Sequence, residues 1–101
     1  MEKRLGIIAI VVENKDSVPK VNELLSRHAD LIQARMGLPR HEENVALISL
    51  VVEGDTDQIG SLTGRLGKLQ GVRVKSVLVQ SKGEKNDTGN EAILHQSGKI
   101  I

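Results

Sequence analysis

The fold is decided by residues 44–79, which read NVALISLVVEGDTDQIGSLTGRLGKLQGVRVKSVLV. Residues 45–52 are almost continuously apolar, which is typical of a strand buried on both faces. Gly54 interrupts this run, and Asp55 with Gln58 three positions later has the pattern of a capping box at the start of a helix. We therefore predict a central strand followed directly by a capped helix.

The predicted helix has one apolar face that could lie on a sheet. Its members recur at helical spacing: Ile59, Leu62, Leu66 and Leu69. Gly71 follows as a stop signal, and residues 72–79 then alternate between two faces as a strand does. Three further glycines are interpreted as positions that permit close helix packing: Gly60, Gly64 and Gly67.

The first part of the chain repeats this order of elements. Residues 5–12 form a second strand that is apolar on both faces, and 13–17 form a polar turn in which Asp16 or Ser17 is predicted to cap a helix. Pro19 is tolerated in the first turn of that helix. The helix has an apolar side: Val18, Val21, Leu24, Leu25 and His28.

An edge strand is predicted next, because its residues alternate between two faces and those on one face are more polar than those on the other. The more apolar set consists of Ile32, Ala34, Met36 and Leu38. Gly37 and Pro39 are expected to close this strand, and the charged loop 40–43 leads into residues 45–52. The resulting order is strand, helix, strand, strand, helix, strand. We predict an α+β, ferredoxin-like sandwich with a four-stranded antiparallel sheet and both helices on one face.

Both central strands of this sheet are apolar on the face that the two helices cannot reach. Several large apolar side chains left in water would cost much of a small domain's stability. We therefore expect a homodimer or homotetramer in which a second subunit covers this face, either stacked on it or added at the edge strand.

The predicted domain comprises residues 1–81, and 82–101 form a polar linker and a C-terminal tail. The apolar residues of this tail are few, mainly Ile93 with Leu94 and Ile100 with Ile101. So little apolar area is consistent either with a disordered tail or with one docked on a partner subunit.

The composition excludes several classes of protein. The 101 residues include no Cys, Phe, Tyr or Trp, which removes thiolate chemistry and base-stacking platforms. A formal net charge of +1 shows no excess of basic residues of the kind that direct nucleic-acid binding requires. No apolar run is long enough for a membrane span, and no cleavable leader is recognisable. We expect a cytoplasmic protein without a cofactor.

Several blocks resemble one small family. They are VNELL at 21–25, RMGLP at 35–39, EEN at 42–44, IGSLTGRLG at 59–67 and GVRVK at 71–75. Together they are similar to the regulators assigned to the iron-only hydrogenase system, which are ACT-like proteins related in fold to the C-terminal domain of nickel-responsive regulators. The resemblance covers about residues 3–79. It implies a cytoplasmic regulatory protein.

An ACT-like regulator implies a small-molecule effector bound in a cleft between subunits. The positions that would line this cleft are Glu13, Asn14, Gly60 and Gly64. ACT domains usually carry a glycine at the turn into the first helix, whereas this chain has none between residues 13 and 18. The effector is therefore not predicted to be an amino acid in that turn.

Two other functions remain open. His41, Glu42 and Glu43 could contribute to a metal-responsive site across a subunit interface, although adjacent side chains point apart and a solvated loop is the simpler explanation of them. His28 is interpreted as a helix-end residue. A protein-interaction scaffold without ligand is the third possibility. No set of nucleophile, base and orienting residue is recognisable, so we predict no enzyme.

Overall fold

The computed structural model describes residues 3–40 and 44–79, with the side chains of residues 39 and 40 excepted. The elements follow the predicted order: β1 (Arg4–Val12), α1 (Val18–Arg27), β2 (Ile32–Arg40), β3 (Val45–Gly54), α2 (Thr56–Gly67) and β4 (Val72–Leu78). The predicted boundary at residue 81, the tail 82–101 and the charged residues 41–43 lie outside the described parts of the chain.

The four strands form one antiparallel sheet in the order β2-β3-β1-β4. The two apolar strands β1 and β3 are therefore central, and β2 and β4 are the edges. This arrangement confirms the predicted ferredoxin-like α+β sandwich. Neither helix among the described residues is long and apolar enough to cross a membrane.

The core lies between the sheet and the two helices. The even-numbered residues of β1 and β3 point toward the helices, as the period of two requires. They are buried together with the apolar faces of both helices: Ile8, Ile10, Val12, Val21, Leu25, Ile48, Leu50, Val52, Ile59, Leu62 and Leu66. The predicted apolar faces of α1 and α2 are thus confirmed.

The opposite side of the sheet, which we call the open face, carries neither helix. It presents the large exposed hydrophobic side chains Leu5, Ile7, Met36, Leu38, Leu47, Val51, Val77 and Val79. Ile7 is 53% exposed and Met36 is 70% exposed. The prediction that the central strands are apolar on both faces is confirmed, and no segment within residues 3–40 and 44–79 covers this second face.

The edge strand β2 differs from its predicted form in two respects. Its register with β3 shifts between Ile32 and Ala34, so Ile32 pairs with Val52 on the helix side whereas Ala34 pairs with Val51 on the open face. A bulge at this point adds one residue to the strand, so the residues that follow it face the opposite side from the one their spacing to Ile32 predicts. The prediction that Ile32 shares one face with Ala34, Met36 and Leu38 is therefore wrong. The strand also continues through Pro39 to Arg40, because an edge strand tolerates a missing N–H.

The start of α1 also differs from the prediction. A short 3₁₀ turn at Lys15–Ser17 precedes the helix, and the Asn14 side chain caps it by accepting the Asp16 backbone N–H at 2.9 Å. Ser17 does occupy the N-cap position of α1, but its side chain makes no cap hydrogen bond, and Asp16 is not the N-cap residue. The Ser17 hydroxyl instead donates to the Gln70 carbonyl oxygen at 2.6 Å and ties this turn to the approach to β4. Pro19 lies in the first helical turn, as predicted.

The capping box of α2 is confirmed. The Asp55 carboxylate accepts the Gln58 backbone N–H at 2.7 Å, and the Gln58 side-chain oxygen accepts the Asp55 N–H at 3.0 Å. The helix ends at Gly67, four residues before the predicted stop. Gly71, with φ of 71°, makes the turn into β4.

Removing this cap should have a moderate effect on stability. We expect Asp55→Ala to lower the free energy of unfolding by about 1 kcal/mol, because it leaves helix N–H groups without a partner. Urea denaturation followed by circular dichroism measures this, with Asp57→Ala, in the first turn of the same helix, as the control. Equal losses in the two variants would contradict a specific cap.

Candidate functional site

The helical layer contains an open groove of about 690 Å³ between α1 and α2, which we call the helix groove. Leu24 of α1 and Leu69 beyond the end of α2 are half-buried and form its apolar part. The remaining lining residues are Lys20, Glu23, Gly60, Ser61, Gly64, Arg65 and Lys68. The groove therefore combines an apolar base with charged walls, as small-molecule sites commonly do.

Gly60 and Gly64 expose the backbone of α2 along one wall of the groove. A Cβ placed at Gly60, Gly64 or Gly67 would meet nothing within 4 Å. The interpretation that these glycines permit close packing of helices is therefore wrong within the described residues, because no described segment packs against that side of α2. A glycine inside a helix costs about 1 kcal/mol relative to alanine, and no contact within the described residues offsets that cost.

The groove has more positive than negative side chains. Lys20, Arg65 and Lys68 are cationic and exposed, and Glu23 is the one acidic residue among the described residues that line it. The carboxylate of Glu23 already accepts a hydrogen bond from the Arg27 guanidinium at 2.9 Å. Arg65 is held toward the groove by donating from Nε to the Ser61 hydroxyl oxygen at 3.2 Å. The groove is thus suited to an anionic group.

The four sequence-predicted ligand residues do not all line this groove. Gly60 and Gly64 do, whereas Glu13 and Asn14 are not among its lining residues. Glu13 directly follows β1, and its carboxylate pairs with the Arg73 guanidinium at 3.1 Å. Asn14 caps the 3₁₀ turn and packs against Gly71. Both residues thus have structural partners away from the groove.

The cationic residues of the groove were not predicted from the sequence. Arg65 and Lys68 follow Gly64 closely at the end of α2, so their spacing could have indicated a basic helix face. Lys20 comes from the other helix, and only the packing of the two helices on the sheet places it at the groove.

The histidines give little support for a metal site. His28 ends α1, and its Nδ1 donates to the Leu24 carbonyl oxygen at 2.9 Å, which confirms its predicted helix-end position. The candidate ligands His41, Glu42 and Glu43 lie outside the described residues. Within residues 3–40 and 44–79, no three His, Asp or Glu side chains come close enough together to hold a metal ion.

Comparison with family models identifies a family for most of the chain. Residues 4–76 match the family described as "TM1266-like: Iron-only hydrogenase system regulator, putative". No curated protein matches the chain.

Solved structures share the fold. The uncharacterized protein TM1266 from Thermotoga maritima is 46% identical to this chain and has a TM-score of 0.75. The match covers 78% of this chain and 100% of that chain. The ACT domain of GTP pyrophosphokinase from Chlorobium tepidum is 22% identical, with a TM-score of 0.59, and the match covers 84% of this chain and 96% of that domain.

A more distant match is CPII, a nitrogen regulatory PII-like protein from Thiomonas intermedia K12. It is 15% identical, has a TM-score of 0.51, and is matched over 79% of this chain and 100% of its own. At these identities the ACT and PII-like proteins show a common fold and nothing more.

Proposed function

Because the chain belongs to the TM1266-like family of iron-only hydrogenase system regulators, we propose that it is a non-enzymatic regulatory module that senses an anionic small molecule in the helix groove. The observation that carries this proposal is the bare backbone of Gly60 and Gly64 beside three cationic side chains. A bound effector would make the contacts that offset the helical cost of these glycines.

The charge of the groove supports an anion over a neutral or cationic effector. Exposed charges are screened by salt, so each contributes modestly to affinity, but a cluster of one sign attracts an oppositely charged ligand. Lys20 and Lys68 come from different elements, so the groove would offer an anionic ligand a cation on each of its two walls. The apolar part of the groove at Leu24 and Leu69 would contact the uncharged part of the effector.

A thermal-shift screen tests the proposal with defined probes. Adenine nucleotides and bicarbonate are included because CPII, which has the same fold, was solved with ADP, AMP and bicarbonate. Amino acids and divalent metal ions complete the panel. At about 100 times its dissociation constant, a probe that binds only the folded chain should raise the melting temperature by on the order of 10 °C.

Variants of the groove make the test specific. Lys20→Glu with Lys68→Glu should abolish the shift, because it reverses the charge of both walls. Lys15→Glu reverses one charge, half the change made in the double variant, in the 3₁₀ turn outside the groove and should keep the shift. The proposal fails if no anionic probe raises the melting temperature, or if the double variant responds as the wild type does. A response to metal ions alone would favour the metal-responsive alternative.

A further inference from the structure

The exposed apolar surface of the chain is concentrated on one side. The large hydrophobic side chains that are more than a third exposed in the described residues all belong to the open face, and none lies on the helical layer. Single exposed hydrophobic residues are normal on a soluble protein, but a contiguous apolar sheet face of this kind marks an interaction surface.

The size of the open face fits a protein interface. Four strands about 4.8 Å apart, with seven to ten residues at about 3.3 Å each, span on the order of 500 Å². Two such faces together would bury on the order of 1,000 Å², which reaches the lower limit for a specific interface between proteins. The tail 82–101 has four large apolar residues, Ile93, Leu94, Ile100 and Ile101, which is half the number of large exposed hydrophobic side chains on the open face.

We propose that the open face binds the open face of a second copy, about a two-fold axis parallel to the strands. An identical sheet is complementary to this face in extent and apolar character, and two sheets packed in this way lie about 10 Å apart. The helix groove is on the other side of the sheet, so this assembly leaves it accessible and does not depend on the proposed effector.

The orientation follows from the position of Lys75. The register places Met36, Ser49, Ala9 and Lys75 in one row across the sheet. A two-fold axis across the strands through this row would stack the Lys75 ammonium groups of the two copies. An axis parallel to the strands instead puts β4 of one copy over β2 of the other. The Lys75 stem then covers the partner subunit's Met36, and like charges stay apart.

The same axis sets which neutral residues meet. Ile7 and Val51 are paired partners on the two central strands. Rotation about an axis parallel to the strands exchanges β1 and β3, so Ile7 of one copy lies opposite the partner subunit's Val51. Rotation about an axis across the strands would instead bring Ile7 opposite the partner subunit's Val11.

Sedimentation equilibrium of the full-length chain at micromolar concentration tests the interface. We expect the wild type to be a dimer or a higher even-numbered oligomer. Ile7→Lys should weaken association by at least about 30-fold, because it places a charge at the centre of the interface. Ser26→Lys adds the same charge on the exposed side of α1 and should associate like the wild type.

Ile7 points away from the core, so circular dichroism of Ile7→Lys should match the wild type. Val77→Lys on the edge strand, where the side chain is 69% exposed, is a second variant that disturbs the sheet less and should also weaken association. A monomeric wild type, or an Ile7→Lys chain that folds and associates normally, would overturn the proposal.

Mixing two variants tests the orientation. Ile7→Lys and Val51→Glu chains should each associate weakly alone and form a heterodimer when mixed, because one complementary charge pair then forms across the interface. A mixture of Ile7→Lys with Val11→Glu should remain dissociated. Rescue by Val11→Glu in place of Val51→Glu would overturn the parallel axis.

Discussion

Leu62→Ala is expected to lower the free energy of unfolding by about 2–5 kcal/mol. Leu62 is fully buried between α2 and the sheet, in a core built without aromatic side chains. The substitution removes apolar contacts and leaves a cavity that the surrounding strands can fill only in part. Since the free energy of unfolding of a small domain is about 5–15 kcal/mol in total, this one substitution should remove a large fraction of it.

Urea denaturation at equilibrium measures this loss, with Ser61→Ala as the matched control on the neighbouring position of the same helix. Ser61 is exposed, and its hydroxyl oxygen accepts one exposed hydrogen bond from Arg65. The control should therefore change the free energy of unfolding by no more than roughly 0.5 kcal/mol. A loss below about 1 kcal/mol in Leu62→Ala would show that this part of the core is not tightly packed.

Gly71→Ala is expected to have the second largest effect. Gly71 has φ of 71°, a left-handed conformation that costs an ordinary residue about 1–3 kcal/mol. A Cβ at this position would also lie 2.6 Å from the Asn14 Cβ and 3.0 Å from the Asn14 backbone nitrogen. Neither atom is the end of a flexible side chain, so the turn must shift and strain its hydrogen bonds to Glu13 and Ser17.

Gly64→Ala is the matched control, since the same substitution there should have the opposite sign. Gly64 lies inside α2, and a Cβ added to it would have no atom within 4 Å, so alanine should stabilise the chain by up to about 1 kcal/mol. Thermal and urea unfolding of both variants provide the comparison. Equal stability of Gly71→Ala and the wild type would contradict the strain argument.

Much of the fold was predictable because its signals are local. The unbroken apolar runs in β1 and β3, the spacing of Ile59, Leu62 and Leu66, and the Asp55 and Gln58 pair each depend on residues close together in the chain. Local periodicity and capping chemistry require no knowledge of distant contacts. The resemblance to the TM1266-like family was likewise visible in short blocks.

The candidate site was less predictable. From the sequence, Gly60 and Gly64 were predicted to be ligand-binding positions, but the glycines on α2 were interpreted as packing positions. Spacing alone does not show whether a neighbouring segment fills the space beside a helix. Glu13 and Asn14 were expected beside them, yet each is engaged with the turn into β4. The cations of the groove come from two helices, and their convergence depends on how those helices cross the sheet.

The sequence by itself determined the element order, the central strands, the core face of each helix and the apolar character of both sides of the sheet. These are consequences of side-chain periodicity and local hydrogen bonding. Only the tertiary structure decided the bulge that places Ile32 and Ala34 on opposite faces, the cap at Asn14, and the open space beside Gly64. Each of these depends on contacts, or on the lack of them, between segments far apart in the chain, and such contacts leave no periodic signal in the residues that make them.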